Sequence, residues 1–109
     1  MTIAYSQLAQ ARENSTNAVE IYSPSSGDTV QVFLKIANTT ASTVTASVFH
    51  DTDGVIYTEV TALAWNVEIA PGQFLEIDKI FMNLVTDSLA YSSSVAQALT
   101  ATVYGVVKT

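Results

Sequence analysis

The single histidine, His50, is followed directly by Asp51, and an imidazole beside a carboxylate is the base and orienting acid that nucleophilic hydrolysis uses. Serines are plentiful, but none stands in a Gly-x-Ser-x-Gly elbow, so His50 reads as a polar residue at a strand end. One His and no Cys cannot supply the N and S ligands of a zinc site. Asp51-Thr52-Asp53-Gly54 matches the opening of an oxygen-ligand calcium loop. The third acidic ligand and the closing Glu are missing, so the run is expected to be a hairpin turn, with Gly54 free to take φ > 0. Glu76 and Asp78, two apart on a strand, point to one face as the carboxylates of a glycosidase might, but such acids usually come from different strands around a cleft, so a solvated strand face that discourages edge pairing is expected. Lys35 and Lys79 with Asn38, Asn66 or Asn83 are the raw material of a Lys–Asn isopeptide link, yet nothing in the sequence sets a carboxylate beside them. Tyr5, Tyr22, Tyr57, Tyr91, Tyr104 and Trp65 could stack on sugars. They are spread along the whole chain, and core or subunit contacts are expected for most of them. No enzyme activity, cofactor or metal is expected.

The elements that would position these residues are strands. Val19 to Tyr22 alternates and runs into the turn cluster Ser23-Pro24-Ser25-Ser26-Gly27-Asp28. Val30, Val32, Leu34 and Ile36 share one face of a strand over 29–37, with Gln31, Phe33 and Lys35 on the other. Val44, Ala46 and Val48 repeat the pattern, and a further strand is expected over 55–60. Residues 61–66, with Trp65, read as irregular; Pro71-Gly72 turns the chain into a long strand, 74–82. The apolar phase slips at Asp78-Lys79, which predicts a bulge. Short strands over 88–93 and from Leu99 onward finish the chain, with Gly105 a candidate bulge. The expectation is an all-β antiparallel β-sandwich, jelly-roll or immunoglobulin-like, of about eight strands. Residues 1–18 are polar and Ala-rich and read as an extended N-terminal arm, leaving 19–109 as the sandwich domain.

The chain has 109 residues, a formal net charge of −6 and only four Lys and Arg, too few for a surface that grips nucleic-acid phosphates or anionic lipid. No apolar run has the length of a signal core or a membrane span, so a soluble protein made in a cytoplasm is expected. A domain this small buries a modest share of its unfolded surface, and oligomerisation would add to it. A symmetric homotrimer is expected, packed through uncharged strand faces such as 43–47 and 100–104. The arm, through Ile3, Tyr5, Leu8, Gln10 and Arg12, would reach onto a neighbour or a larger partner.

Several runs occur in a distinctive order. Leu8-Ala9-Gln10 precedes Ile21-Tyr22-Ser23-Pro24; then come Ile36-Ala37-Asn38-Thr39, Ile69-Ala70-Pro71-Gly72 and the closing Thr102-Val103-Tyr104-Gly105-Val106. In this order the chain resembles, over almost its whole length, the small β-sandwich structural proteins of tailed bacteriophages. The resemblance implies a virion component, above all a capsid decoration (cement) protein on the outer surface of the head. Such a protein would bind the major capsid protein, often as a trimer over lattice junctions. A head–tail adaptor or a tail-fibre component is the neighbouring implication. A carbohydrate-binding module is the alternative outside that family.

Overall fold

A computed structural model describes residues 2–109. Period-two alternation of Val, Ile and Leu with polar residues drives eight strands: β1 (Ile3–Ala11), β2 (Val19–Tyr22), β3 (Thr29–Asn38), β4 (Val44–Asp51), β5 (Ala62–Ile69), β6 (Phe74–Met82), β7 (Ser88–Ser93) and β8 (Leu99–Lys108). β1 pairs with β8, β2 with β7, β3 with β6 and β4 with β5, all antiparallel, as in one long ribbon folded at the β4–β5 loop. The ribbon then wraps so that β3 also meets β8 and β4 meets β7. Two four-stranded sheets result: sheet A, ordered β1-β8-β3-β6, and sheet B, ordered β2-β7-β4-β5. The protein is therefore an all-β sandwich, and its strand order is that of a jelly roll, not of an immunoglobulin-like fold.

The inner faces carry the expected side chains. Val30, Val32, Leu34 and Ile36 of β3 and Leu99, Ala101 and Val103 of β8 bury against Val44, Ala46 and Val48 of β4 and Leu89 and Tyr91 of β7. Each fully buried Val or Leu contributes about 1.5–3 kcal/mol, so this shared layer is what holds the sheets together.

Residues 3–11 are not an arm. They form the edge strand of sheet A, in register with β8 from Ile3↔Lys108 to Ala11↔Ala101. The sequence looked too thinly apolar because an edge strand buries few side chains; here Leu8, Ala9 and Ala11 alone are packed on the core. β1 thus belongs to the same sandwich as the strands that follow residue 18. Gly105 is no bulge either, because β8 pairs with β3 without a shift. The irregularity lies in β1, at Leu8, and Gly105 makes room for it: a Cβ at 105 would stand 2.7 Å from Leu8 Cδ1 and 2.8 Å from the Gln31 carbonyl oxygen.

Residues 55–60 are a loop, not a strand. Their backbone groups are satisfied by side chains in place of a ladder. The Asp51 carboxylate accepts the Val55 and Ile56 N–H groups at 2.9 and 2.7 Å, and the Thr61 hydroxyl donates to the Ile56 carbonyl at 2.7 Å. The loop lies over the outer side of sheet B, where Tyr57 packs on Phe49 and its hydroxyl meets Ser88 Oγ at 2.6 Å. Residues 62–66, within the stretch 61–66 read as irregular, belong to strand β5. Their alternation breaks at Trp65-Asn66, where Asn66 takes φ 49° and two residues face Ser47. Ser47 Oγ accepts the Asn66 N–H at 2.9 Å and stabilises that bulge. The bulge expected at Asp78-Lys79 is present, with Lys79 at φ 58°.

Asn38 ties the corners. It is 1% exposed, and its side-chain amide donates to the carbonyls of Ser42 and Ile69, both at 2.8 Å. Its Oδ1 accepts the Thr40 N–H at 3.0 Å. Asn38→Ala leaves these buried partners unmet, and unfolding in urea is expected to show a loss of about 2–3 kcal/mol. Gly105→Ala is expected to lose about 1–3 kcal/mol in the same measurement, because the Gln31 backbone cannot retreat as a flexible side chain would.

Candidate functional site

His50 and Asp51, the adjoining imidazole and carboxylate, are both engaged in holding loops. His50 Nε2 lies 3.0 Å from Asp87 Oδ1, not from a serine. Asp87 is buried, and its other oxygen accepts the Asn83 and Leu84 N–H groups at 3.0 and 2.9 Å. Asp51 likewise spends both oxygens on the backbone of its own loop, including Asp53 N–H at 3.4 Å, so the acidic-Gly run is a loop cap. Among the described residues no group of three or more His, Asp or Glu is placed to hold a metal ion. The Lys35 ammonium sits 4.2 Å from the centre of the Phe74 ring, and the Asn38 amide is occupied by two carbonyls, so these two candidates for an isopeptide link are each engaged elsewhere.

Backbone donors shift the loop carboxylates. The N–H groups of Ile56 and Val55 hold Asp51 below the usual carboxylate range. Burial pushes Asp87 upward, but the Leu84 and Asn83 N–H groups and His50 outweigh it, and its pKa also falls. Burial raises Tyr91, whose hydroxyl accepts the Glu13 N–H at 3.2 Å and so pins the β1–β2 connector to β7.

The feature that remains is the outer face of sheet A. Strand register sets its rows. Tyr5, Val106, Gln31 and Phe81 lie side by side across the four strands, followed by Gln7, Tyr104 and Phe33. Gln10, Thr102, Lys35 and Glu76 make the next row, and Ala37 stands beside Thr100 and Phe74. Tyr5 is 71% exposed, Phe81 64%, Phe74 50% and Tyr104 46%; Ile3 and Phe33 are exposed as well. A stretch of uncovered aromatic surface this wide is uncommon on a protein that works alone. At the β6 bulge it dips into a shallow hollow of about 150 Å³ between Phe33, Tyr104, Lys35, Glu76 and Asp78.

Of the five residues assigned to the arm, four contribute to this face. Ile3, Tyr5 and Gln10 lie in its register, with Gln10 donating to Thr102 at 3.0 Å, and Arg12 bonds the hydroxyls of Thr39 and Thr100. Leu8 turns inward to the core. Phe33, Phe74 and Phe81 were missed as site residues. Their signal was available in part: an aromatic placed out of phase with the buried positions of its own strand is an aromatic facing outward. That they meet on one surface depends on strand order. No protein-family model matches this chain, and no curated protein matches it in sequence.

The depressed carboxylates give a pH dependence. A carboxyl whose pKa is lower folded than unfolded adds stability above its unfolded value near 3.8, and the gain fades as pH falls through the folded value. The thermal midpoint is expected to drop as pH is lowered from about 4, and to drop less steeply in Asp87→Asn. An identical slope in that variant would show that Asp87 carries none of it.

Proposed function

We propose that this protein is a non-enzymatic structural subunit of a tailed-bacteriophage virion. In this reading it is a decoration protein that binds the major capsid protein on the outer surface of the head as a homotrimer and stabilises the shell. The observation that carries the reading is the uncovered aromatic face of sheet A, held on a rigid sheet and accompanied by Ile3, Tyr5, Gln10 and Arg12. Aromatic side chains fixed on paired strands lose little freedom on docking, which suits a protein whose task is contact. The order of sequence runs shared with small phage β-sandwich proteins supports the same reading.

The mechanism is mechanical. Packed DNA presses a shell outward, and a subunit that bridges neighbouring shell proteins raises the cost of separating them. A few kcal/mol per contact suffices, because an oligomer engages several lattice positions at once. The net charge of −6 suits an outward surface that does not adhere to DNA.

A second reading, a carbohydrate-binding module, is favoured by the hollow between Phe33 and Tyr104, where a sugar ring could stack and its hydroxyls reach Glu76 or Asp78. It requires saccharide binding that Tyr104→Ala abolishes. For the virion reading, the purified chain is expected to sediment with emptied heads of the phage that encodes it and to raise their disruption temperature. Tyr5→Ser/Phe81→Ser, which removes aromatic contacts that hold the homotrimer together, is expected to lower head occupancy at least about tenfold, because a lone subunit engages a single lattice position. A wild-type chain that stays in the supernatant overturns the proposal.

A further inference from the structure

The charges of this molecule are divided between its two layers. All four basic residues belong to sheet A: Lys35 on β3, Lys79 on β6, Lys108 on β8, and Arg12 immediately after β1. Glu76 and Asp78 are the acidic residues on the same strands, and Glu13 and Asp28 adjoin β1 and β3 in the connecting segments. The strands of sheet B hold no Lys or Arg, and the exposed carboxylates Glu20 and Glu68 on its edge strands are joined by Asp53 and Glu59 in the β4–β5 loop. Among the described residues no Lys or Arg has a carboxylate within 4.0 Å, the one close contact of this kind being His50 with Asp87. The cations of sheet A thus stand unpaired around an aromatic surface.

A second uncovered apolar patch completes the pattern. The β4–β5 loop and β5 present Val55, Ile56, Val60, Leu63 and Trp65, with Val60 84% exposed. β5 is an edge strand of sheet B, and Asp53, Glu59 and Glu68 flank the patch.

We propose that the outer face of sheet A is covered by the acidic β5 edge and β4–β5 loop of a second copy of this chain. The inference rests on the homo-oligomer of the preceding reading and names the surfaces that build it. Face against face would oppose like cations, and edge against edge would oppose like carboxylates. Face against edge brings unlike charges together and covers both apolar patches. Such a contact joins two different surfaces, so every subunit has one of each to offer, and it is satisfied throughout only in a closed ring. A sheet face and a sheet edge point in different directions, so successive copies are rotated relative to one another, and a rotation of one third of a turn closes a trimer.

The test is a charge swap read by light scattering behind a sizing column. Wild type is expected at a small multiple of 11.6 kDa, three for the trimer. Lys35→Glu/Lys108→Glu on the face and Glu59→Lys/Glu68→Lys on the edge are each expected to weaken assembly at least about tenfold. All four positions are exposed, and circular dichroism verifies that each variant is folded. The chain with all four changes restores opposite signs across the contact and is expected to reassemble. A monomeric wild type at about 0.1 mM overturns the inference. So does a folded variant that assembles like wild type, or a folded fourfold variant that stays dissociated. Sedimentation with emptied heads is read separately, so a chain that binds heads but ignores the swap refutes this contact and leaves the virion role standing.

Discussion

Asn38 holds together the places where the chain changes sheets. Its amide reaches from the end of β3 to the carbonyl of Ile69 at the end of β5, and its backbone N–H and carbonyl bond Gln73 and Gly72 in the turn that follows. Two of the four crossings between the layers at this end, β3 to β4 and β5 to β6, thereby meet at one buried side chain. An amide is suited to the position because it donates twice and accepts at once, so no polar atom is stranded in the core. No buried side-chain N or O among the described residues lacks a partner. The same amide explains why the Asn38-Thr39-Thr40 run, which has the form of a glycosylation acceptor, is spoken for in the folded chain.

The other end of the sandwich is held by charge in place of an amide. Asp51 and Asp87 cap the β4–β5 and β6–β7 loops, and His50 bridges β4 to Asp87. These residues have the types that catalysis uses, and here they satisfy loop backbone that has no ladder. A carboxylate surrounded by N–H donors is stabilised in its charged form and is a poor base. The acidic groups with perturbed pKa values are thus accounted for by architecture, and the surface without such an account is the aromatic face of sheet A.

That face depends on β1. Tyr5 and Ile3 extend the aromatic surface beyond β8, and Leu8 anchors the strand against Gly105. The absence of a side chain at 105 therefore has a consequence for the opposite side of the sheet: it seats the edge strand that widens the exposed aromatic surface. The division of charge between the layers gives that surface a sign as well as a shape.

Local pattern determined much of this in advance. The all-β class, strands β2, β3, β6 and β7, the inward faces of β3, β4 and β8, and the bulge at Asp78-Lys79 all follow from alternation and its breaks, which are properties of neighbouring residues. Residues 3–11, 55–60 and 62–66 were misread because their state is decided at a distance. β1 is a strand because β8 offers it a ladder, 55–60 is a loop because Asp51 and Ser88 capture it, and β5 survives its broken alternation because Ser47 supports the bulge. Periodicity says which side of a strand a residue occupies, but not which strand lies beside it. The jelly-roll order, and with it the gathering of Tyr5, Phe33, Phe81 and Tyr104 on one surface, was settled only by tertiary pairing, since one alternating pattern fits many neighbours equally well.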